Sequence, residues 1–304
     1  MKYNVKHISP EVKKIEKKVG PKILANPYYG CSHQCLFCPA NDGYLKRRVF
    51  EDFRTKGIIY VVDNIVDHIE SYIEGNDNAR IIHISPVADP FQPLERENHL
   101  SESIIKLANN LNYPIAICTK GIIPKYLYPR IKAHKDSFVQ ISILTINENK
   151  RQKIVRGDGA SVKDLLNEIR ELREYDIHVI GRIDPIFPYI TDDLDEFEKL
   201  VCTLKNYGVK HIVSSVADII PDALEREKEY LNSLSANMYQ RYKSLYCDNI
   251  NGRLHANIKY RERIFEALMR ICEKNDMLFG ITWEPDKNGN SINHIYSHKF
   301  RMGD

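Results

Sequence analysis

The sequence lacks several features, and each absence closes off a class of protein. No apolar run approaches the ~20 residues of a membrane-spanning helix. The start, Met1-Lys2-Tyr3-Asn4, leads into no signal-peptide core. A cytoplasmic protein with no membrane partner is expected. There is no internal repeat, low-complexity tract or obvious linker. Charge of neither sign dominates: 44 Lys and Arg stand against 41 Asp and Glu, a net charge of +3, which does not force a nucleic-acid partner. The seven cysteines are an odd number, three packed into eight residues and four scattered (Cys118, Cys202, Cys247, Cys272). That is no disulfide framework; it reads as one metal site plus ordinary buried thiols.

What is present is the composition of a globular chain, 304 residues with 43% hydrophobic and 28% charged content. Short β-branched runs alternate with stretches of helical periodicity. Candidate strands are 23–26, 80–85, 114–119, 137–144, 178–184, 210–215 and 278–283; candidate helices are 58–74, 101–111, 162–175, 194–207 and 260–275. Ile65, Ile69, Tyr72 and Ile73 mark one buried helical face, as do Leu165, Ile169 and Leu172. This alternation predicts α/β architecture with a parallel sheet, in the form of a partial (β/α)6 TIM barrel with a C-terminal extension. Residues 1–220 are read as the barrel core. Residues 221–304 are read as a helical insertion and a C-terminal part completing the same domain. In such barrels chemistry sits at the C-terminal ends of the strands.

Just after the first candidate strand the chain reads Asn26-Pro-Tyr-Tyr-Gly-Cys31-Ser-His-Gln-Cys35-Leu-Phe37-Cys38-Pro. Thiolates at CxxxCxxC spacing can converge on one soft metal site within a tight loop. A zinc site using His33 as fourth ligand, in a non-catalytic binding module, is chemically allowed. However, His33 would have to bend back into a crowded loop, and no second ligand pair occurs at zinc-finger spacing. A three-cysteine [4Fe–4S] cluster with one iron left open is the preferred reading.

CxxxCxxC with an aromatic residue before the last cysteine resembles the signature of radical S-adenosylmethionine enzymes. The flanks resemble the branch related to spore photoproduct lyase: Asn26-Pro-Tyr-Tyr-Gly-Cys31, Ser85-Pro-Val-Ala-Asp89-Pro-Phe-Gln-Pro-Leu-Glu95, Ala116-Ile-Cys118-Thr-Lys120-Gly, Val139-Gln-Ile-Ser142-Ile and Arg182-Ile-Asp184-Pro-Ile-Phe-Pro188. The resemblance implies that the open iron chelates the methionine moiety of S-adenosylmethionine. Reductive cleavage of the C–S bond then gives a 5′-deoxyadenosyl radical that abstracts hydrogen from substrate. It also implies a reductant such as flavodoxin or ferredoxin. Lys120 would meet the methionine carboxylate, Ser142 would hydrogen-bond the cofactor, and Asp89 would lie near its methionine or ribose end. Phe37, Ser85 and Arg182 join these as cofactor-site candidates.

Two features of that branch are missing. Tyrosines beside the last cluster cysteine are replaced by Phe37 and Pro39, and the second strand carries no hydrogen-donor cysteine. Strand parity turns Cys118 inward with Lys120, so Cys118 is the candidate replacement donor. The substrate is read as nucleic acid, with a peptide or small metabolite as the alternative. Three basic groups bear on that choice: Lys13, Lys14, Lys17, Lys18 and Lys22; Lys46, Arg47 and Arg48; and Lys150, Arg151, Lys153 and Arg156.

Overall fold

The computed structural model describes residues 3–9, 22–42, 53–75, 80–85 and 87–293. Of the basic groups, 13–18 and 46–48 lie outside them. Seven strands form the main sheet: β1 (Lys22–Ala25), β2 (Ile81–Ile84), β3 (Ile115–Thr119), β4 (Phe138–Ser142), β5 (His178–Ile186), β6 (His211–Val216) and β7 (Leu278–Ile281). Their order is β7-β6-β5-β4-β3-β2-β1. The pairings β1–β2, β2–β3, β3–β4, β5–β6 and β6–β7 are parallel. The expected α/β class with a mostly parallel sheet is what the chain adopts, and all seven candidate strands belong to this sheet.

The chain divides into two compact units, one of residues 1–141 and 153–179, the other of 142–152 and 180–304. In the first, helices α1 (Ile65–Glu74), α2 (Leu100–Asn110) and α3 (Val162–Glu174) bury one stripe each, such as Ile65, Ile69 and Tyr72 on α1. Ser161 caps α3 by accepting the Asp164 N–H at 3.1 Å, satisfying a donor the helix cannot. The helix expected over 58–74 is corrected: Ile58–Val62 is a strand, and the helix starts at Ile65. Ile58-Ile-Tyr-Val-Val is a β-branched run. It is fully buried between Asn4–Ile8 (parallel) and Tyr28–Tyr29 (antiparallel) in a separate three-stranded sheet.

In the second unit, α4 (Leu194–Asn206) and α5 (Ile258–Lys274) flank β5, β6 and β7 in sequence. The stretch 222–254, helical in composition, holds helices Pro221–Arg226, Lys228–Leu234 and Met238–Leu245 but ends in an antiparallel hairpin, Asp248–Ile250 with Arg253–His255. Its turn is Asn251-Gly252, both at positive φ, the pair that two-residue hairpins favour. Among the described residues no helix is long and apolar enough to cross a membrane.

Arg261 on α5 is fully buried. It donates to Ala256 O at 2.8 Å, to Glu284 Oε2 at 2.9 Å and to Pro285 O at 2.7 Å. The other Glu284 oxygen accepts the Val216 N–H at 2.7 Å, tying the segment after β7 to the end of β6. Burial pushes the Glu284 carboxyl up to about 7, more than Arg261 pulls it down. Arg261→Met strands that carboxylate, so the variant should lose about 3–5 kcal/mol in denaturant unfolding above pH 7. A carboxyl whose folded pKa is raised costs stability as pH rises. Without Arg261 the carboxyl titrates higher still, so the loss should shrink as pH falls toward 7, and a pH-independent loss would contradict this account.

Candidate active site

The cysteine loop leaves β1 through Asn26-Pro27 and the short strand Tyr28–Tyr29, then turns at Gly30. Gly30 has φ +93°, and a side chain there would sit 3.0 Å from Ile58 O. Two buried amides hold the loop backbone. Asn41 accepts the Cys31 N–H and donates to Cys31 O, both at 2.9 Å. Gln92 accepts the Ser32 N–H at 3.1 Å and donates to Gly30 O at 3.3 Å. Arg54 donates to Cys35 O at 2.5 Å. Sequence reasoning missed Asn41 and Arg54; Gln92 stood inside a quoted motif without a role.

Residues 154–158 strap the other side of the loop. Leu36 N–H donates to Ile154 O at 2.8 Å, Gly157 N–H to His33 O at 2.8 Å and Asp158 N–H to Ser32 O at 3.3 Å, with a bridge pairing Cys35 and Val155. Arg156 of the third basic group donates to Gln34 O at 3.5 Å. In the same group Lys150 pairs with Glu196 at 2.8 Å, and the buried Arg151 pairs with Glu148 at 3.3 Å. Three members of that group thus make internal contacts, while Lys153 is exposed.

Cys31 is buried in an apolar cluster with Tyr28, Phe53, Ile59, Val61, Ala88 and Leu94; Cys35 and Cys38 are half-buried. Burial pushes the Cys31 thiol well up, and the Asp89 carboxylate and the other two cysteines push the same way. A thiolate here needs a positive charge beside it, which iron supplies. The donor set of three thiols on a braced loop therefore fits a cluster. Among the described residues no three His, Cys, Asp or Glu side chains stand close enough to hold a single ion. His33 is buried with its Nδ1 3.4 Å from Asp89 Oδ2.

Asp89 joins three elements. Its Oδ1 accepts from Phe91 N at 2.9 Å and Thr119 Oγ1 at 2.7 Å; its Oδ2 accepts from Lys120 N at 2.6 Å. The Lys120 carbonyl accepts the Ala160 N–H at 2.9 Å, so the backbone of Lys120 is fixed on both sides. Asp89→Asn would place an amide donor against one of these donors. Loss of roughly 1–3 kcal/mol per orphaned buried group is expected. Thermal unfolding and iron content after anaerobic reconstitution would both fall; unchanged values would show that the carboxylate braces nothing.

Phe37 is buried with φ +52°, and Ser85 is buried with φ +55° and donates its hydroxyl to Ala88 O. Cys118 is half-buried on β3 opposite Gln140 of β4. The first unit thus brings together Cys31, Cys35, Cys38, Phe37, Ser85, Asp89 and Lys120. Ser142 and Arg182 belong to the second unit. Ser142 is buried at the end of β4, and Arg182 pairs with the buried Asp184, which also accepts from Ser215 and, at 3.4 Å, from Thr282 Oγ1.

A phage relative, the radical SAM Nalpha-GlyT isomerase of Pseudomonas phage M6, is 26% identical over 228 residues, 74% of this chain and 46% of its own length. An uncharacterised protein of Methanocaldococcus jannaschii is 26% identical over 176 residues, 57% of this chain and 63% of that protein. The chain thus spans about half to under two thirds of the curated relatives it matches. Among solved structures, a spore photoproduct lyase variant with dinucleoside spore photoproduct superposes with TM-score 0.65 at 14% identity, over 89% of this chain and 78% of the other. A second variant, with bound AdoMet as well, gives 0.61 over 83% and 73% at the same identity. These likenesses show a shared fold. The Radical SAM superfamily model matches residues 25–201, from the end of β1 through the cysteine loop, Asp89, Lys120, Ser142 and Arg182. This chain belongs to the radical SAM superfamily, whose members bind a [4Fe–4S] cluster and S-adenosylmethionine.

Proposed function

We propose that this enzyme abstracts a hydrogen atom from a nucleic-acid substrate, with Cys31, Cys35 and Cys38 ligating the cluster. The braced three-cysteine loop, with Lys120 tied to it through Asp89, is the observation that carries the reading. When bound, the reduced cluster and S-adenosylmethionine supply the 5′-deoxyadenosyl radical. The chain's own residues bind and orient. Lys120 offers a point charge to the methionine carboxylate. Ser85, Ser142 and Arg182 offer polar contacts to the cofactor, and Phe37 an apolar one. Asp89, engaged by internal donors, acts as a positioning residue. Cys118 gives its thiol hydrogen to the product radical; the resulting thiyl regains an electron from the reductant and a proton from solvent.

That reductant is a one-electron donor such as flavodoxin or ferredoxin. None of the seven cysteines is in a disulfide, which suits a reducing, cytoplasmic compartment. Support for nucleic acid comes from the dinucleoside held by the structural neighbours.

The test is anaerobic turnover with deuterated single- and double-stranded DNA. The expected result is deuterium in 5′-deoxyadenosine, together with binding that weakens steeply with salt as phosphate contacts release counterions. Absence of binding at low salt, or deuterium arriving only from peptide or small-metabolite substrates, would overturn the nucleic-acid reading. A Cys118→Ala variant with unchanged product distribution would remove that residue's role.

A further inference from the structure

Trp283 is the only tryptophan in the chain, and it is 50% exposed. It follows β7 directly, at the strand's C-terminal end. An isolated exposed apolar residue means little by itself. The residues flanking this one are held by hydrogen bonds. Thr282 N–H donates to Ser214 O at 3.0 Å, and its hydroxyl donates to Asp184. Asn293 donates to both Ile281 O and Thr282 O at 2.9 Å and accepts the Glu284 N–H at 2.9 Å. The Glu284 side chain is locked by Arg261 and Val216. The fold commits a buried ion pair and several buried hydrogen bonds to fixing the residues on both sides of a ring it leaves in solvent.

A second observation lies against that ring. His255 packs edge-on to Trp283 with ring centroids 6.3 Å apart and planes at 61°. It is 3% exposed, and its Nε2 has no hydrogen-bond partner among the described residues. Nearby, Lys287 is 68% exposed and 3.9 Å from Asp248, an outward cation on the same segment.

We propose that Trp283 is the stacking platform for a nucleobase of the substrate, with the buried His255 ring packed against the indole to fix it and Lys287 meeting a phosphate. A rigid, half-exposed indole offers a π-face to any base, so stacking tolerates sequence. A pre-fixed backbone lowers the ordering cost of binding. This deepens the nucleic-acid reading and rests on it.

Because no other tryptophan contributes, intrinsic fluorescence reports on this ring directly. Anaerobically reconstituted enzyme is titrated at low salt with the single-stranded decanucleotide dT10 and, separately, with thymidine. Quenching on binding is expected. Equal quenching by thymidine would identify a free nucleoside as the source, and quenching by dT10 alone would identify a strand. Trp283→Ala should weaken dT10 binding roughly ten- to one-hundredfold. Trp283→Phe should recover most of it, with the unfolding midpoints of both variants unmoved. Binding of dT10 without quenching, or a Trp283→Ala affinity within twofold of the parent, would overturn the platform and leave the nucleic-acid reading standing. No binding of dT10 or thymidine by the parent enzyme would overturn both.

Discussion

Replacing Cys31, Cys35 and Cys38 together by alanine is expected to drop bound iron from about four per chain to background and to abolish 5′-deoxyadenosine formation with dithionite and S-adenosylmethionine. The reasoning starts from charge. Cys31 is enclosed by apolar side chains, and its thiol is pushed well up by burial and by Asp89. A bare thiolate there is unfavourable, so the proposed ligand role of these cysteines requires the positive charge that a bound cluster would supply. The loop amides and carbonyls are held by Asn41, Gln92 and Arg54, none of which depends on the sulfurs. The variant should therefore still fold. A colourless, folded protein without cleavage activity is the expected outcome. A variant that retains iron and still releases 5′-deoxyadenosine would remove the cysteine loop as the cluster site.

Gly157→Ala is expected to approach the same functional loss with every ligand intact. A methyl group at residue 157 would lie 1.9 Å from Ser32 O and 3.0 Å from the His33 carbonyl carbon. Both obstacles are backbone, so no side-chain rotation relieves the overlap. Either the strap or the cysteine loop must shift by about an ångström, since overpacked contacts of this kind have no other escape. The hydrogen bonds of Leu36, Gly157 and Asp158 across the two segments would go with it. We expect a stability loss of ~3 kcal/mol or more, and poor iron retention after reconstitution. Gly75→Ala is the control. The nearest atom its methyl group would meet, Ser71 O in the preceding helical turn, would be an ordinary 3.5 Å away, so the change should be nearly silent. Full iron retention and an unshifted unfolding midpoint in Gly157→Ala would show that the strap is dispensable.

These two variants differ in how readable they were. The cysteines announce themselves because ligand chemistry restricts residue type and a tight loop restricts spacing. Gly157 carries no such mark, since a glycine in a loop has many ordinary explanations and its neighbour here lies more than a hundred positions earlier in the chain. Asn41 and Gln92 are equally silent, because an amide that grips a distant backbone looks like any other amide. The Asn251-Gly252 turn was visible in the sequence, but the helical composition around it outweighed a two-residue signal. The strand Ile58–Val62 was hidden for another reason: a buried β-branched run joined to an amphipathic helix lacks a break strong enough to separate the two.

By itself the sequence determined the seven main-sheet strands, the α/β class and the cysteine motif. Each rests on local periodicity or on adjacent ligands, which a linear reading can follow. Only the tertiary structure decided that Asp89 is a brace shared by three elements, that residues 154–158 seal the cysteine loop, and that Arg261 and Glu284 fix the chain around an exposed Trp283. Those are contacts between residues far apart in sequence. Their energies come from burying donors, acceptors and charges together, and that burial does not exist until the chain has folded.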